Sequence, residues 1–406
     1  MRYSLTITML LLLQCVHART YIVRNGSIQQ TITAAASGDT VMVFPGIYRD
    51  KGIVITKPVY LKGIGYPVLD GEKKFEVIAI KADHVTIEGF KVVHSGNSAI
   101  EDIAGIKIYN SRNAVIRNNI LDDNFFGIYS QYGRECIILH NTITAYGKAE
   151  LQSGNGIHCW KSDNMQITDN RITGHRDGIY FEFVTRSVIS GNISRTNIRY
   201  GLHFMFSHTN VYTGNTFEKN GAGVAVMYSH GVKMFRNTFH ENWGDAAYGL
   251  LLKEISDSFI EGNMFDKNTI GIFMDGASRI ELGRNAFSNN GWGMKIQANC
   301  MDITVSQNNF LGNTFDVGTN GELVLNKFSH NYWDKYEGYD LNRDRVGDIP
   351  FRPVSMYSMI VERNPPAMIL FRSFIAGLLD KTEKVFPSLI PENLKDDYPL
   401  MKPLPL

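Results

Sequence analysis

Gly201-Leu-His-Phe-Met-Phe-Ser-His-Thr-Asn-Val-Tyr-Thr-Gly-Asn215-Thr-Phe-Glu-Lys-Asn-Gly-Ala-Gly223 is one unit of a pattern that fills most of the chain. Its opening glycine recurs as Gly105, Gly127, Gly156, Gly178, Gly201, Gly223, Gly249, Gly271 and Gly293, in steps of 22, 29, 22, 23, 22, 26, 22 and 22 residues. From each of the first eight, an asparagine follows 14 residues later: Asn119, Asn141, Asn170, Asn192, Asn215, Asn237, Asn263 and Asn285. The Gly-to-Asn distance is constant while the period varies, so every insertion falls after the asparagine. That is the behaviour of a stacked coil that tolerates extra residues in one loop only.

Each unit begins with apolar residues at alternate positions, as in Gly178-Ile-Tyr-Phe and Gly249-Leu-Leu-Leu, which is the period of a strand. A second apolar position lies eleven residues after the glycine (Ile116, Ile138, Ile167, Ile189, Tyr212, Met234, Ile260, Leu282). A third follows the asparagine by two (Leu121, Ile143, Ile172, Phe217, Phe239, Phe265, Phe287). Three short strands in about 22 residues cannot bury their apolar faces alone, but stacking at about 4.8 Å aligns like positions. The expected fold is all-β, a right-handed parallel β-helix. The asparagines are expected to form an internal amide ladder. Looser repeats upstream, such as Gly38-Asp-Thr-Val-Met-Val and Val85-Thr-Ile-Glu-Gly-Phe, extend the stack toward the N-terminus.

The organisation that follows is a signal peptide over 1–18, the β-helix over 19–330, a capping segment over 331–360 and an apolar, Pro-rich tail over 361–406. Met1-Arg2, an apolar run to Leu13 and the small-x-small Val16-His17-Ala18 fit secretion. Lipidation at Cys15 is the less favoured alternative, because Gln14 stands where a small residue is wanted. A net charge of +1 and the lack of a long Lys/Arg run argue against nucleic acid. Cys136, Cys159 and Cys300 lie on distant coils and make no disulfide framework.

Candidate chemistry follows from coil position. Two residues after each glycine the outward row runs Lys107, Tyr129, His158, Tyr180, His203, Ala225, Leu251, Phe273 and Lys295. Four after, it runs Tyr109, Gln131, Trp160, Glu182, Met205, Met227, Lys253, Asp275 and Gln297. A solvated face does not normally carry so many aromatic and sulfur side chains, so this one reads as a docking surface. Within it, Met205 and Met227 stack on neighbouring coils, His203 shares the face of Met205, and His208 and His230 stack three positions further on. Thioether and imidazole together suit copper as Cu(I). The rival reading for an exported β-helix is polysaccharide binding, or uronate lyase or epimerase action, by Glu182, Glu254 and Asp275; these sit on separate coils with Lys253 between them and form no close pair. Asp340, Asn342, Asp344 and Asp348 alternate like the oxygen ligands of a Ca²⁺ loop, but Arg345 takes the usual glycine position and Phe351 that of the bidentate Glu. The segment reads as a capping turn, with Ca²⁺ as the alternative. Ala367 to Leu379 is apolar, too short to cross a bilayer and of a length for an interfacial or partner-binding helix.

The chain resembles the NosD family of periplasmic maturation factors. The resemblance rests on Arg199-Tyr-Gly-Leu-His-Phe-Met-Phe-Ser207, Ala225-Val-Met-Tyr-Ser229, Asn331-Tyr-Trp-Asp, Gly338-Tyr-Asp340 and Gly347-Asp-Ile-Pro350. It covers nearly all of the chain after the signal segment, with His330 where the family more often has Gly. It implies a non-enzymatic periplasmic protein that works with an ABC transporter, NosF as ATPase and NosY as permease. Such proteins help to assemble the copper-sulfur centres of nitrous oxide reductase NosZ, with copper passed from the lipoprotein NosL. The tail would be the contact with the permease. The copper ligands are not implied by the resemblance; they rest on the stacking argument.

Overall fold

The computed structural model describes residues 18–98, 100–244, 247–321, 325–371, 373–385 and 394–406. The expected signal segment, Cys15 included, lies outside the described residues apart from Ala18. The rest is a right-handed parallel β-solenoid of about 13 turns at about 23 residues each. Its strands form three parallel sheets of 14, 12 and 13 strands, in which each strand pairs with its counterparts one coil before and one coil after. The glycine strand belongs to the 12-stranded sheet; the strands before and after the asparagine belong to the 14- and 13-stranded sheets.

The registers confirm the alignment by coil position. Ile116 pairs with Ile138 and Ile138 with Ile167, and Phe239 pairs with Phe265 and Phe265 with Phe287. These residues are fully buried in one continuous core. Phe239, Phe265, Phe287, Phe310 and Trp333 stack face to face with centroids 4.1–4.9 Å apart, so one ring per coil fills the interior beneath the third strand. The same row holds Ser194 in one coil, where its hydroxyl donates to the Gly201 carbonyl.

The glycine is fixed by crowding rather than by a bend. A Cβ on Gly201 would stand 2.7 Å from the carbonyl oxygen of Gly223, and one on Gly223 2.4 Å from that of Gly249. Stacked backbones therefore approach too closely at this position for any side chain.

The asparagine ladder is continuous over ten coils. Each side-chain amide from Asn119 to Asn308 donates to the Oδ1 of the next asparagine at 2.9–3.1 Å, and that same oxygen accepts the backbone N–H. The ladder ends on a carboxylate. Asp396, fully buried, accepts the side-chain and backbone N–H of Asn331, the indole N–H of Trp333 and the backbone N–H of His330. An acceptor-only group is the chemical complement of a stack whose last member still has donors to satisfy.

A second ladder, 19 residues after the glycine and 20 in its last coil, runs Asn197, Asn220, Asn242, Asn268, Asn290 and Asn313. His175 holds this position one coil earlier, and its backbone N–H donates to Asn197.

Among the described residues three α-helices lie outside the coils: α1 (Ile28–Ala34), α2 (Met356–Arg363) and α3 (Phe374–Val385), with a 3-10 turn over Pro365–Leu370. α1 sits at the N-terminal end, where Ile28 and Ile32 enter the core. Val361 of α2 and Leu379 of α3 pack over Trp292 and Phe315 on the outer face of the 12-stranded sheet. Of the segment expected as a single tail over 361–406, the part after Leu394 takes another route. It returns to the last coils, with Leu400 N–H on the Asn331 carbonyl and Leu404 exchanging two hydrogen bonds with the Asn309 side chain.

The substitution Asn192→Ala removes the acceptor of two donors on Asn170 and the donor to the Ile167 carbonyl, all buried. A loss of about 2–4 kcal/mol of unfolding free energy is expected by chemical denaturation, well above that of a surface Asn→Ala change.

Candidate functional site

The outer face of the 12-stranded sheet divides into an inner, covered row and an outer, accessible one. The row two residues after the glycine faces away from the core but is largely shut off from solvent. Lys107, Tyr129, His158, His203, Ala225 and Leu251 are all less than 9% exposed, while Tyr180, Phe273 and Lys295 are half-buried. Segments outside the coil pattern cover it. Lys107 Nζ donates to the Asp102 carbonyl, Asn155 Nδ2 lies 3.3 Å from His158 Nδ1, and Glu150 reaches Arg199. At the other end Lys295 pairs with Glu362 of α2. The 29-residue step contributes the cover at Glu150–Asn155, so the insertion acts as a local lid on this row.

Beneath it, Tyr129, His158, Tyr180 and His203 form a file of rings 4.4–4.8 Å apart. Asp177, 1% exposed, sits beside it with His203 Nδ1 at 3.6 Å and Arg199 and Arg176 at 3.7 and 3.8 Å. Burial pushes the His158 imidazole down to about 3, with Arg176 adding to the effect, and burial holds His175 at about 4. Both rings are neutral at pH 7. Further along the face, Tyr109 donates to both carboxylate oxygens of Glu76 at 3.0 Å, and burial raises that carboxyl.

The structure thus separates the five residues grouped by sequence position. Met205 and Met227 are direct register partners on adjacent strands, both half-buried. Outside them the chain turns through Phe206 and Tyr228, whose φ of 50° and 51° lie in the left-handed region. Phe183, Phe206 and Tyr228 form an exposed stack with centroids 5.3 and 5.0 Å apart. Bulky residues are unfavourable at that conformation, yet the position is left-handed in coil after coil and also holds Tyr132, Lys161, Phe183 and Glu254, with Asn110 and Gly276 on more distant coils.

One residue beyond, Ser207 and Ser229 turn inward, with Ser207 N–H on Ser229 Oγ. His208 and His230 then point out again, their rings stacked 4.1 Å apart at 13°. The His230 N–H donates to His208 Nδ1 at 3.3 Å. Burial and the neighbouring His230 lower the His208 pKa, which keeps that ring neutral. Met205, Phe206 and His208, with their counterparts one coil on, therefore form one outward corner of the rod. His203 lies inside, against Asp177. Sequence position gave it the correct face but not its burial, which comes from Tyr180, Tyr200 and Asp177 closing around the ring.

Among the described residues no group of three or more His, Cys, Asp or Glu side chains is placed to hold a metal ion. A thioether-based site falls outside that description. Asp340, Asn342, Asp344 and Asp348 are drawn together, but their oxygens accept N–H groups of their own loop: Asp340 from Asp344 and Arg345, Asp344 from Val346, Asp348 from Leu341. Cys136, Cys159 and Cys300 are free and buried.

The fold defines a parallel β-helix protein. It resembles the A-module of the mannuronan C-5 epimerase AlgE4 from Azotobacter vinelandii (TM-score 0.52, 18% identity, 75% of this chain and 89% of that one). It also resembles the catalytic unit of a thermostable GH87 alpha-1,3-glucanase from Streptomyces thermodiastaticus (TM-score 0.57, 15% identity, 79% and 70%). At these identities the likeness is one of architecture.

A family model described as "Periplasmic copper-binding protein (NosD)" matches residues 144–338, which include the Met205–Met227 pair and the whole stacked corner. Two proteins named "Probable ABC transporter binding protein NosD" align over nearly the full length. One, from Pseudomonas aeruginosa, is 27% identical over 86% of this chain and 85% of its own; the other, from Stutzerimonas stutzeri, is 25% identical over 86% and 84%. The chain is thus similar to the NosD family, by the model over 144–338 and by the two relatives over most of its length.

The depressed histidines give the protein a defined acid response. A ring that folds neutral contributes stability fully present above its unfolded value near 6.5 and lost progressively as pH falls toward about 4 for His175. Replacing His175 by Asn, the residue of the next coils, is expected to flatten the decline in denaturation midpoint between pH 6.5 and 4. An unchanged slope would assign the acid loss to other groups.

Proposed function

We propose that this protein binds Cu(I) at the outward corner formed by Met205, Met227, His208 and His230. It presents the ion to partners in the periplasm as a non-enzymatic assembly factor for the copper centres of nitrous oxide reductase NosZ. The observation that carries the reading is the register pairing of Met205 with Met227. Two thioethers on adjacent strands are separated by a coil spacing of about 4.8 Å, close to twice a metal–sulfur bond of about 2.3 Å. Neutral sulfur donors favour a soft monovalent ion over the hard divalent ions that dominate outside the cell.

The imidazoles have unequal parts. His208 already accepts an N–H at Nδ1, so His230, which is exposed, is the ring free to coordinate. His203 is buried against Asp177 and supports the strand that carries Met205. Copper is the cargo in this reading, supplied by a donor such as the lipoprotein NosL.

Attachment to an ABC transporter, NosF with NosY, falls to the segment around α3. Ala376 and Leu379 pack inward, while Ile369, Phe374, Ile375 and Leu378 are more than half exposed. A helix that is apolar on both faces needs a second partner to cover it. No described helix is long and apolar enough to cross a membrane, so this contact is made at the surface of the transporter.

Anaerobic titration against a chromophoric Cu(I) chelator tests the site. The wild type is expected to bind stoichiometrically, and Met205→Leu/Met227→Leu to bind at least tenfold more weakly with an unchanged melting temperature; equal binding would clear the pair of the role. For the tail, Phe374→Glu/Leu378→Glu is expected to abolish co-purification with the transporter while leaving Cu(I) affinity intact.

A further inference from the structure

The row that holds the two thioethers continues on both sides, and its charges are unbalanced. In register order it reads Trp160, Glu182, Met205, Met227, Lys253, Asp275, each residue paired with the next on adjacent strands. Lys253 has the Asp275 carboxylate one coil beyond it, on the side away from the sulfurs. Glu182 has neither neighbour charged, since Trp160 and Met205 flank it, and it makes no ion pair among the described residues. Arg186, four residues on, is paired with Asp163, and the Lys161 ammonium one coil earlier lies against aromatic faces, 4.5 Å from the Trp160 ring and 6.0 Å from that of Phe183.

Resting on the functional reading above, we infer that Glu182 is the anionic component of the copper site, neutralising a monovalent soft cation held by Met205 and Met227. Thioethers carry no charge, so an ion bound by them alone keeps its full positive charge on a half-buried surface. A carboxylate one coil away, at about 4.8 Å, offsets that charge without displacing a sulfur donor. Lys253 on the opposite side disfavours a second cation next to Met227, which limits the row to one ion. The arrangement is asymmetric as well: the carboxylate of Glu182 lies on one side of the pair and the ammonium of Lys253 on the other.

The test uses the full chain and two monovalent probes, Cu(I) in chelator competition and Ag⁺ by calorimetry. Glu182→Gln is expected to weaken both about tenfold or more and to flatten the dependence of affinity on salt. Glu182→Asp is expected to recover most of the loss, and Asp275→Asn to behave as wild type. Melting temperatures of the variants report on folding. Equal affinity and equal salt dependence in the wild type and Glu182→Gln would overturn the role of Glu182 alone. A wild-type chain that takes up neither probe would overturn the copper reading itself and this inference with it.

Discussion

Everything in this molecule depends on one buried amide per coil being handed to the next. Each ladder asparagine uses its Oδ1 to accept both the amide and the backbone N–H of the preceding coil. The offset between successive coils is therefore set by hydrogen-bond length rather than by side-chain packing alone. A buried amide without its partner is costly, so the stack tolerates no slip at this corner. The insertions show the consequence. The 29-residue step places Tyr146 where the second ladder would have a member, and that ladder has a gap there; the first ladder passes the same coil unbroken through Asn141 and Asn170. Variation is confined to the corner that can do without continuity.

The same constraint explains what could be read from the sequence. Any property that depends only on position within the coil was legible: the three sheets, the buried Phe row, the ladder from Asn119 to Asn285 and the adjacency of Met205 and Met227. The second ladder carried an equally regular signal in Asn197, Asn220, Asn242, Asn268 and Asn290, hidden behind the stronger glycine and asparagine spacing. Properties that depend on segments outside the repeat were not legible. His203 reads as a surface residue because its row faces away from the core; it is buried among Tyr180, Tyr200 and Asp177, whose closing over this row no periodicity encodes, and Glu150 of the insertion reaches Arg199 beside them. The contact of Asp396 with Asn331 likewise joins positions 65 residues apart with no local pattern to announce it.

That contact changes the meaning of the C-terminal region. A parallel stack ends with unpaired donors, and an exposed end invites further strand addition. Asp396 satisfies five N–H groups, from His330, Asn331 twice, Trp333 and Tyr398, and its own backbone exchanges hydrogen bonds with Phe351. α2 and α3 consequently belong to an excursion held at both ends: on one side by Phe351 and the helix contacts with Trp292 and Phe315, on the other by the return of Leu394 to the core.

Under the proposed copper role, the placement of the thioethers fits transfer better than storage. A storage site gains from enclosure, which raises affinity and excludes competitors, and the covered row two positions away shows that this fold can enclose polar groups when extra segments are supplied. The methionines instead stand on an outward corner, beside the stacked rings of Phe183, Phe206 and Tyr228, each held in the left-handed region. Strain of that kind persists only where the surrounding structure enforces it, and here it widens an exposed apolar rim around two soft donors. A rigid rod keeps the sulfur spacing constant while leaving the remaining coordination positions open to solvent. An incoming ligand on another protein can then displace one donor at a time, with no need for this chain to open or rearrange.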